Sequence, residues 1–385
     1  MAASLQRWDI FCTVVDNYGD AGVAWRLARQ LASEHSLAVR LFVDGLPALA
    51  RLAPDVDATL DVQCVDNVEV RKWGGTQAAL RPADPGAVVI EAFGCGLPAS
   101  YLASMAARER APVWINVEYL SAEDWIEGCH GLASRHPTLP LTRYFFFPGF
   151  TPASGGLLRE HDLVTQRDRF RTDATACESM WRMLGLGSPG PGTLVISLFC
   201  YPNAALPDLL DAWAEGDAPV LCAVPQGVAG NALALWTGRT APHVDEHLVR
   251  GRLTLAGVPF VSQDDYDRLL WACDINFVRG EDSFVRAQWA ARPLVWHVYP
   301  QSENAHRLKL DAFLDRYCAE LPHDLASVVS EFSRAWNGDG NIGHAWARLA
   351  EARTALSAHA QAWAAQVAAQ PDLASTLVKF CHDRV

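Results

Sequence analysis

Arg279-Gly280-Glu281-Asp282-Ser283-Phe284-Val285-Arg286-Ala287-Gln288-Trp289 is the stretch on which the fold reading turns. The apolar run Ile275 to Val278 that enters it has the length and content of a buried strand. The run stops at Gly280, and a helical pattern begins just after Ser283. Turns of this strand-to-helix build are where open α/β sheets hold ligands. Working outward, a second turn of the same build lies near the N-terminus. There Ile10 to Val15 runs into Asp16-Asn17-Tyr18-Gly19-Asp20-Ala21-Gly22-Val23 and then into a helical repeat. Two acid-bearing turns in two halves imply two domains facing one cleft.

The chain between these turns carries a βαβ rhythm. In the first half, strands are expected at Ile10 to Val15, Ala38 to Val43, Ala87 to Ile90 and Pro112 to Asn116, with a helix over Val23 to His35. In that helix Ala24, Leu27, Ala28, Leu31 and Ala32 share one face, with Arg26 and Arg29 elsewhere. Thr142 to Ser154 is aromatic and punctuated by Pro and Gly, and Gly185 to Gly192 is a second cluster of breakers. The domain boundary is expected between them. The second half restarts with strands at Thr193 to Cys200, Pro219 to Val224, Leu253 to Val261, Asp274 to Val278 and Pro293 to Val298. Helices are expected near Leu206 to Ala214, Tyr266 to Ala272 and Phe284 to Ala290. An Ala-rich helix follows over His344 to Gln370, stopping before Pro371, and Leu373 to Cys381 is a further helix candidate.

Composition narrows the function classes. At 385 residues, with 50% hydrophobic and 20% charged content, the chain can bury a substantial core and reads as two domains. A net charge of -12 argues against a non-specific nucleic-acid binder, which needs a basic stripe to displace counterions. The first residues lack an apolar signal core, and no stretch approaches the roughly 20 apolar residues that span a bilayer. A cytoplasmic protein with no membrane partner is therefore expected. The ten cysteines contain no C-x-x-C pair, and several sit in apolar runs such as Val220-Leu221-Cys222-Ala223, so reduced thiols packing as small hydrophobes are the better reading.

Asp16 and Asp20 flank a Gly-containing loop that also holds Asn17, Tyr18 and Gly19. Asp20 can simply N-cap the following helix while Asp16 closes an Asx-turn. Equally, a carboxylate at a strand's carboxyl end, with Gly19 and Gly22 letting another molecule approach the backbone, is placed to act as a general base. The loop is not G-x-G-x-x-G, so the dinucleotide fingerprint is absent. In the second turn Asp282 or Ser283 reads as an ordinary N-cap and Glu281 as a solvated acid. Yet free first-turn amides suit a diphosphate and acids suit hydroxyls, a combination that favours a nucleotide sugar. Arg279 can offset phosphate charge or pair with Asp282. Phe199, Tyr201, Phe260 and Gln263 fall at strand carboxyl ends, where a flat base can stack and be read. His243-Val244-Asp245-Glu246-His247 matches H-x-x-E-H, but it follows Pro242 without a periodic helix, and a solvated helical turn is the better reading than a metal site.

These stretches resemble the EarP family, the protein-arginine rhamnosyltransferases that modify elongation factor P. The resemblance is carried by Asp16 to Val23, Phe199-Cys200-Tyr201, Phe260-Val261-Ser262-Gln263 and Arg279 to Trp289, in order and across both halves. It implies an α/β protein of GT-B fold, with two Rossmann-like domains and a central cleft. Residues 1–155 would form the acceptor-binding domain and 186–355 the nucleotide-sugar-binding domain, with a C-terminal helix over about 356–385 packing back on the first. It further implies inverting, metal-independent transfer, with no cofactor, from dTDP-β-L-rhamnose to an arginine of elongation factor P. Asp20 would be the catalytic carboxylate and Asp16 its support. Phe199, Tyr201, Phe260, Gln263, Glu281, Asp282 and Ser283 would hold the thymidine diphosphate. Without the resemblance, a GT-B enzyme acting on a small molecule or glycan, or a non-catalytic nucleotide-sugar binder, fits the residues equally.

Overall fold

The computed structural model describes residues 7–15, 18–74, 84–228, 230–238, 243–244, 246–301 and 305–384. The chain divides into two compact units, 1–161 with 368–385 and 162–367. The first unit contains β1 (Arg7–Cys12), α1 (Gly19–Glu34), β2 (Ala38–Val43), α2 (Leu46–Leu52), β3 (Val62–Val65), β4 (Val68–Lys72), β5 (Val88–Ala92), α3 (Ala99–Ala106), β6 (Val113–Val117), α4 (Trp125–Cys129), β7 (Ala133–Arg135) and β8 (Thr142–Phe146). The second contains α5 (Leu163–Thr172), α6 (Ala174–Met183), β9 (Leu194–Leu198), α7 (Leu206–Glu215), β10 (Val220–Pro225), α8 (Gly230–Thr237), β11 (His247–Arg250), β12 (Leu253–Val258), α9 (Gln263–Ala272), β13 (Ile275–Arg279), α10 (Asp282–Trp289), β14 (Leu294–His297), α11 (Ala305–Tyr317), α12 (His323–Trp336) and nearly all of α13 (Ile342–Ala368). α14 (Leu373–His382) returns to the first unit.

The first sheet runs β3-β4-β2-β1-β5-β6-β8-β7 and the second β11-β12-β10-β9-β13-β14. Apart from the antiparallel pairs β3·β4, β7·β8 and β11·β12 at the edges, every ladder is parallel. Parallel strands are covered on both faces, which is why their sequences read as continuous apolar runs; every residue of β5, β6 and β9 is buried. In each sheet the chain first winds one way from a central strand and then returns to wind the other. The reversal falls between β1 and β5 in the first sheet and between β9 and β13 in the second. At such switch points adjacent loops part at the strands' carboxyl ends and leave a crevice. Both turns singled out in the sequence, after β1 and after β13, open at these points.

On one face of the first sheet Phe11 and Phe42 stack with centroids 4.3 Å apart, met edge-on by Trp73 and Tyr101. The same region buries an ion pair, in which Arg40 donates twice to Asp9 at 2.6 Å. The Asp9 carboxylate also accepts from Gly86 N at 2.6 Å and from the Tyr101 hydroxyl, so the buried charge is fully engaged.

Several expectations change. β1 ends at Cys12 rather than Val15, and β12 at Val258 rather than Val261. Thr142 to Phe146, for which no strand was expected, is a strand joined to β6 and β7. Arg26, which the helical pattern places off the apolar face, is buried as well, 3.6 Å from Glu160. Its neighbour Gln30, also buried, donates to Arg159 O and Asp372. That side of α1 is covered by the chain around 160 and by α14, partners that local periodicity does not reveal. The units divide after His161, between the two breaker clusters, with α5 and α6 in the second unit and the return to the first at Ala368. Of the H-x-x-E-H stretch, Val244 bridges to Gly257 and His247 opens β11, while Asp245 lies outside the described residues.

Candidate functional site

At the carboxyl edge of the second sheet β9 and β13 end side by side, Phe199 N donating to Phe277 O at 3.0 Å. The guanidinium of Arg279 lies between two rings, 4.4 Å from the centroid of Phe199 and 4.6 Å from that of Tyr201, and donates to Cys200 O at 3.0 Å. A planar cation between aromatic faces is held by quadrupole attraction and keeps a fixed orientation. The alternative in which Arg279 pairs with Asp282 is not the arrangement found, since Asp282 accepts from Gln263 Nε2 at 3.0 Å. That bond ties the start of α10 to the start of α9. Phe260 lies in the short connection between β12 and α9, half-buried, and Ser262 caps α9 by accepting from Asp265 N.

The turn after β13 requires its glycine, as Gly280 has φ of 61°. Glu281 is the N-cap residue of α10 but its side chain makes no capping bond, and Asp282 and Ser283 are the first two helical residues. The Ser283 hydroxyl closes the turn, donating to Arg279 O and accepting from Arg279 N at 3.0 Å. The structure thus brings Phe199, Tyr201, Gln263, Arg279, Asp282 and Ser283 to one edge around the helix N-terminus. Tyr201 is only 6% exposed, its ring packed edge-on against His297 and Tyr299. Burial, with Arg279 close by, lowers the His297 imidazole to about 4, so it adds no charge near neutrality.

At the carboxyl edge of the first sheet, α1 starts at Gly19 with Tyr18 as its N-cap residue. Asp20 is therefore the second helical residue rather than the cap. Its wholly buried carboxylate accepts from Val15 N at 2.8 Å and from the Tyr119 hydroxyl at 3.2 Å. Tyr18 accepts a hydrogen bond from Arg51 at 2.7 Å. Gly19 and Gly22 have ordinary negative φ within the first turn of α1. Asp16 and Asn17 lie outside the described residues. Two residues escaped the sequence reading, Tyr119 just beyond β6 and Phe93 just beyond β5, whose rings stack 4.4 Å apart. The signal for Phe93 was present as Phe93-Gly94-Cys95-Gly96, another strand followed by a glycine-rich turn. All ten cysteines are free; burial pushes Cys95, Cys200 and Cys381 up to about 12, while Cys64 is exposed. Among the described residues no group of three or more His, Cys, Asp or Glu is placed to hold a metal ion.

The resemblance assigns Tyr201 and Glu281 to donor binding, and truncation tests that assignment. Tyr201→Ala also removes one ring from the Arg279 stack, and Glu281→Ala removes the acid of the glycine turn. Each is expected to weaken dTDP binding by roughly 5- to 150-fold, the effect of one buried hydrogen bond. Unchanged dTDP affinity in both variants by calorimetry would move the donor site away from this edge.

The family model for the elongation factor P (EF-P) rhamnosyltransferase EarP matches residues 8–382. A protein-arginine rhamnosyltransferase of Pseudomonas putida is 52% identical over 373 residues, covering 97% of this chain and 98% of the relative. That of Pseudomonas aeruginosa is 50% identical over 379 residues, covering 98% and 100%. A solved structure described as the basis for EarP-mediated arginine glycosylation of translation elongation factor EF-P is similar with a TM-score of 0.71 and 39% identity, over 99% of this chain and 100% of that one. MurG of Acinetobacter baumannii is similar in fold, with a TM-score of 0.50 at 12% identity over 98% of this chain and 99% of that one.

Proposed function

The chain belongs to the EarP family, and on that premise we propose that it moves L-rhamnose from dTDP-β-L-rhamnose, with inversion and without a metal ion, to one arginine side chain of elongation factor P in the cytoplasm. It is an enzyme of GT-B fold, a protein-arginine rhamnosyltransferase. The donor, the stereochemistry, the independence of metal, the location and the residue roles are all part of the proposal.

The observation that carries the mechanism is the buried carboxylate of Asp20 at the switch point of the first sheet, in the turn that follows β1. A guanidinium is protonated near neutrality, with a pKa above about 12, and is a poor nucleophile until a base orients it and takes a proton. In the step proposed, a terminal nitrogen of the acceptor arginine attacks C1 of rhamnose from the face opposite the diphosphate. The C1–N bond forms as the bond from C1 to the diphosphate oxygen breaks. One N–H proton passes to Asp20, and dTDP leaves with the electron pair. Because the carboxylate is wholly buried, the groups around it must part as the arginine enters. In the second unit, the amides at the start of α10 and the Arg279 cation face the charge that grows on the leaving diphosphate.

Glu281 and Asp282 are adjacent acids and can be mistaken for a metal-binding pair. Glu281 precedes the helix and Asp282 accepts from Gln263, which favours the reading in which the two do not act as one chelate. Full activity is therefore expected after EDTA treatment, with no stimulation by Mg²⁺ or Mn²⁺. Turnover stopped by chelation and restored by metal would remove both the metal-free reading and the assignment of diphosphate stabilisation to α10. The donor is tested by competition, in which dTDP-rhamnose supports transfer and UDP-glucose does not.

A further inference from the structure

The turn after β5 is held in a costly conformation. Phe93 has φ of 56°, in the left-handed region that a bulky side chain avoids, and Gly94 and Gly96 follow at 63° and 74°. The strain is fixed from outside the turn: Phe93 N donates to Val117 O at 2.7 Å, Gly94 N to the Asn116 side chain at 2.9 Å, and Gly96 N to the buried Glu91 carboxylate at 2.7 Å. An outlier pinned this thoroughly points to function more than to packing. What the conformation achieves is visible: the Phe93 ring is laid flat on Tyr119, with centroids 4.4 Å apart and planes within 14°. Tyr119 in turn gives its hydroxyl to Asp20. Neither ring is core, since both are half-buried.

We propose that Phe93 and Tyr119 form a positioning device for the catalytic carboxylate, the strained turn holding the Phe93 ring against Tyr119 so that the Tyr119 hydroxyl fixes the orientation of Asp20 toward the acceptor nitrogen. The inference rests on the reading of Asp20 as general base. Among the described residues, Asp20 accepts from donors of two different kinds. Val15 N–H belongs to the backbone and holds one oxygen. The Tyr119 hydroxyl holds the other, and its angle is set by the ring on which Phe93 lies. A base turned away from the attacking nitrogen slows the chemical step while leaving substrate affinity in place.

The test measures EF-P rhamnosylation by the full chain in four variants. Tyr119→Phe keeps the ring and the stack but removes the hydroxyl. Phe93→Leu keeps the Cβ, and hence the backbone strain, but removes the stack. Both should lower kcat by roughly 5- to 20-fold, as expected for one hydrogen bond, with KM for donor and acceptor within about two-fold and an unchanged melting temperature. The double variant should be no slower than the slower single, because the two residues act in series. Asp20→Asn is the fourth arm. If it is inactive while Tyr119→Phe turns over at the wild-type rate, the positioning device is wrong and the base assignment stands. If Asp20→Asn itself is active, the base assignment falls, and this inference with it. A loss that appears only in KM, or that tracks a fall in melting temperature, would overturn the proposal in favour of a packing role.

Discussion

Asp20→Asn is expected to reduce rhamnosyl transfer by roughly 10²- to 10⁴-fold, the range a positioned general base supplies, while dTDP binds as it does to the unaltered enzyme. Asn is close to isosteric with Asp and can keep the hydrogen bonds to Val15 and Tyr119. Its carbonyl oxygen can take the Val15 N–H, and its amide can donate to the Tyr119 hydroxyl, which serves as donor or acceptor. What Asn cannot do is receive a proton. The nucleotide contacts assigned to Phe199, Tyr201 and Gln263 belong to the other unit, so calorimetric dTDP affinity should not change. A near wild-type rate in the Asn variant would remove Asp20 from the role of base, and loss of dTDP binding would place Asp20 in the donor site instead.

Asp267→Ala is expected to destabilise the second unit by about 3–5 kcal/mol, lowering its melting temperature by roughly 6–20 °C. Arg286 of α10 donates to Asp267 of α9 twice, at 2.9 and 2.6 Å, with both side chains less than 5% exposed. Removing the acid takes away the carboxylate that balances a buried guanidinium. Because α9 carries Gln263 and α10 carries Asp282, the same change should weaken dTDP binding. The pair's own desolvation cost is large, so Asp267→Leu with Arg286→Met, which removes both charges, should recover most of the lost stability. A melting temperature in Asp267→Ala within 2 °C of the parent's would show, at about 2–4 °C per kcal/mol, that the pair contributes little.

These two sites mark what the sequence makes legible. Strands such as Val113–Val117 are buried on both faces and therefore announce themselves as apolar runs, and the glycines of the two ligand turns end those runs sharply. Asp20 and the Arg279 to Ser283 turn were visible as candidates because their residues are adjacent in the chain. The role of Arg286 was not visible, although it lies in the same stretch, because its partner is on another helix. The burial of Arg26 was not visible for the same reason, its cover coming from residues around 160. The β3–β4 hairpin had a local signal that went unused. Asp66-Asn67 forms its two-residue turn with φ of 50° and 62°, the both-positive geometry that such polar pairs favour. Thr142–Phe146 was obscured by the breakers that follow it. Tyr119 reaches Asp20 across 99 positions, and no periodicity encodes a contact of that separation.

The central claim is tested most directly by the mass of purified elongation factor P after incubation with this protein and dTDP-β-L-rhamnose, with the modified residue located by fragmentation. The account predicts an increase of one deoxyhexose on a single arginine, in α-linkage by NMR of the product, appearing with the wild-type chain and absent with Asp20→Asn. An unmodified mass with the wild-type enzyme, or equal modification by the Asn variant, would contradict it.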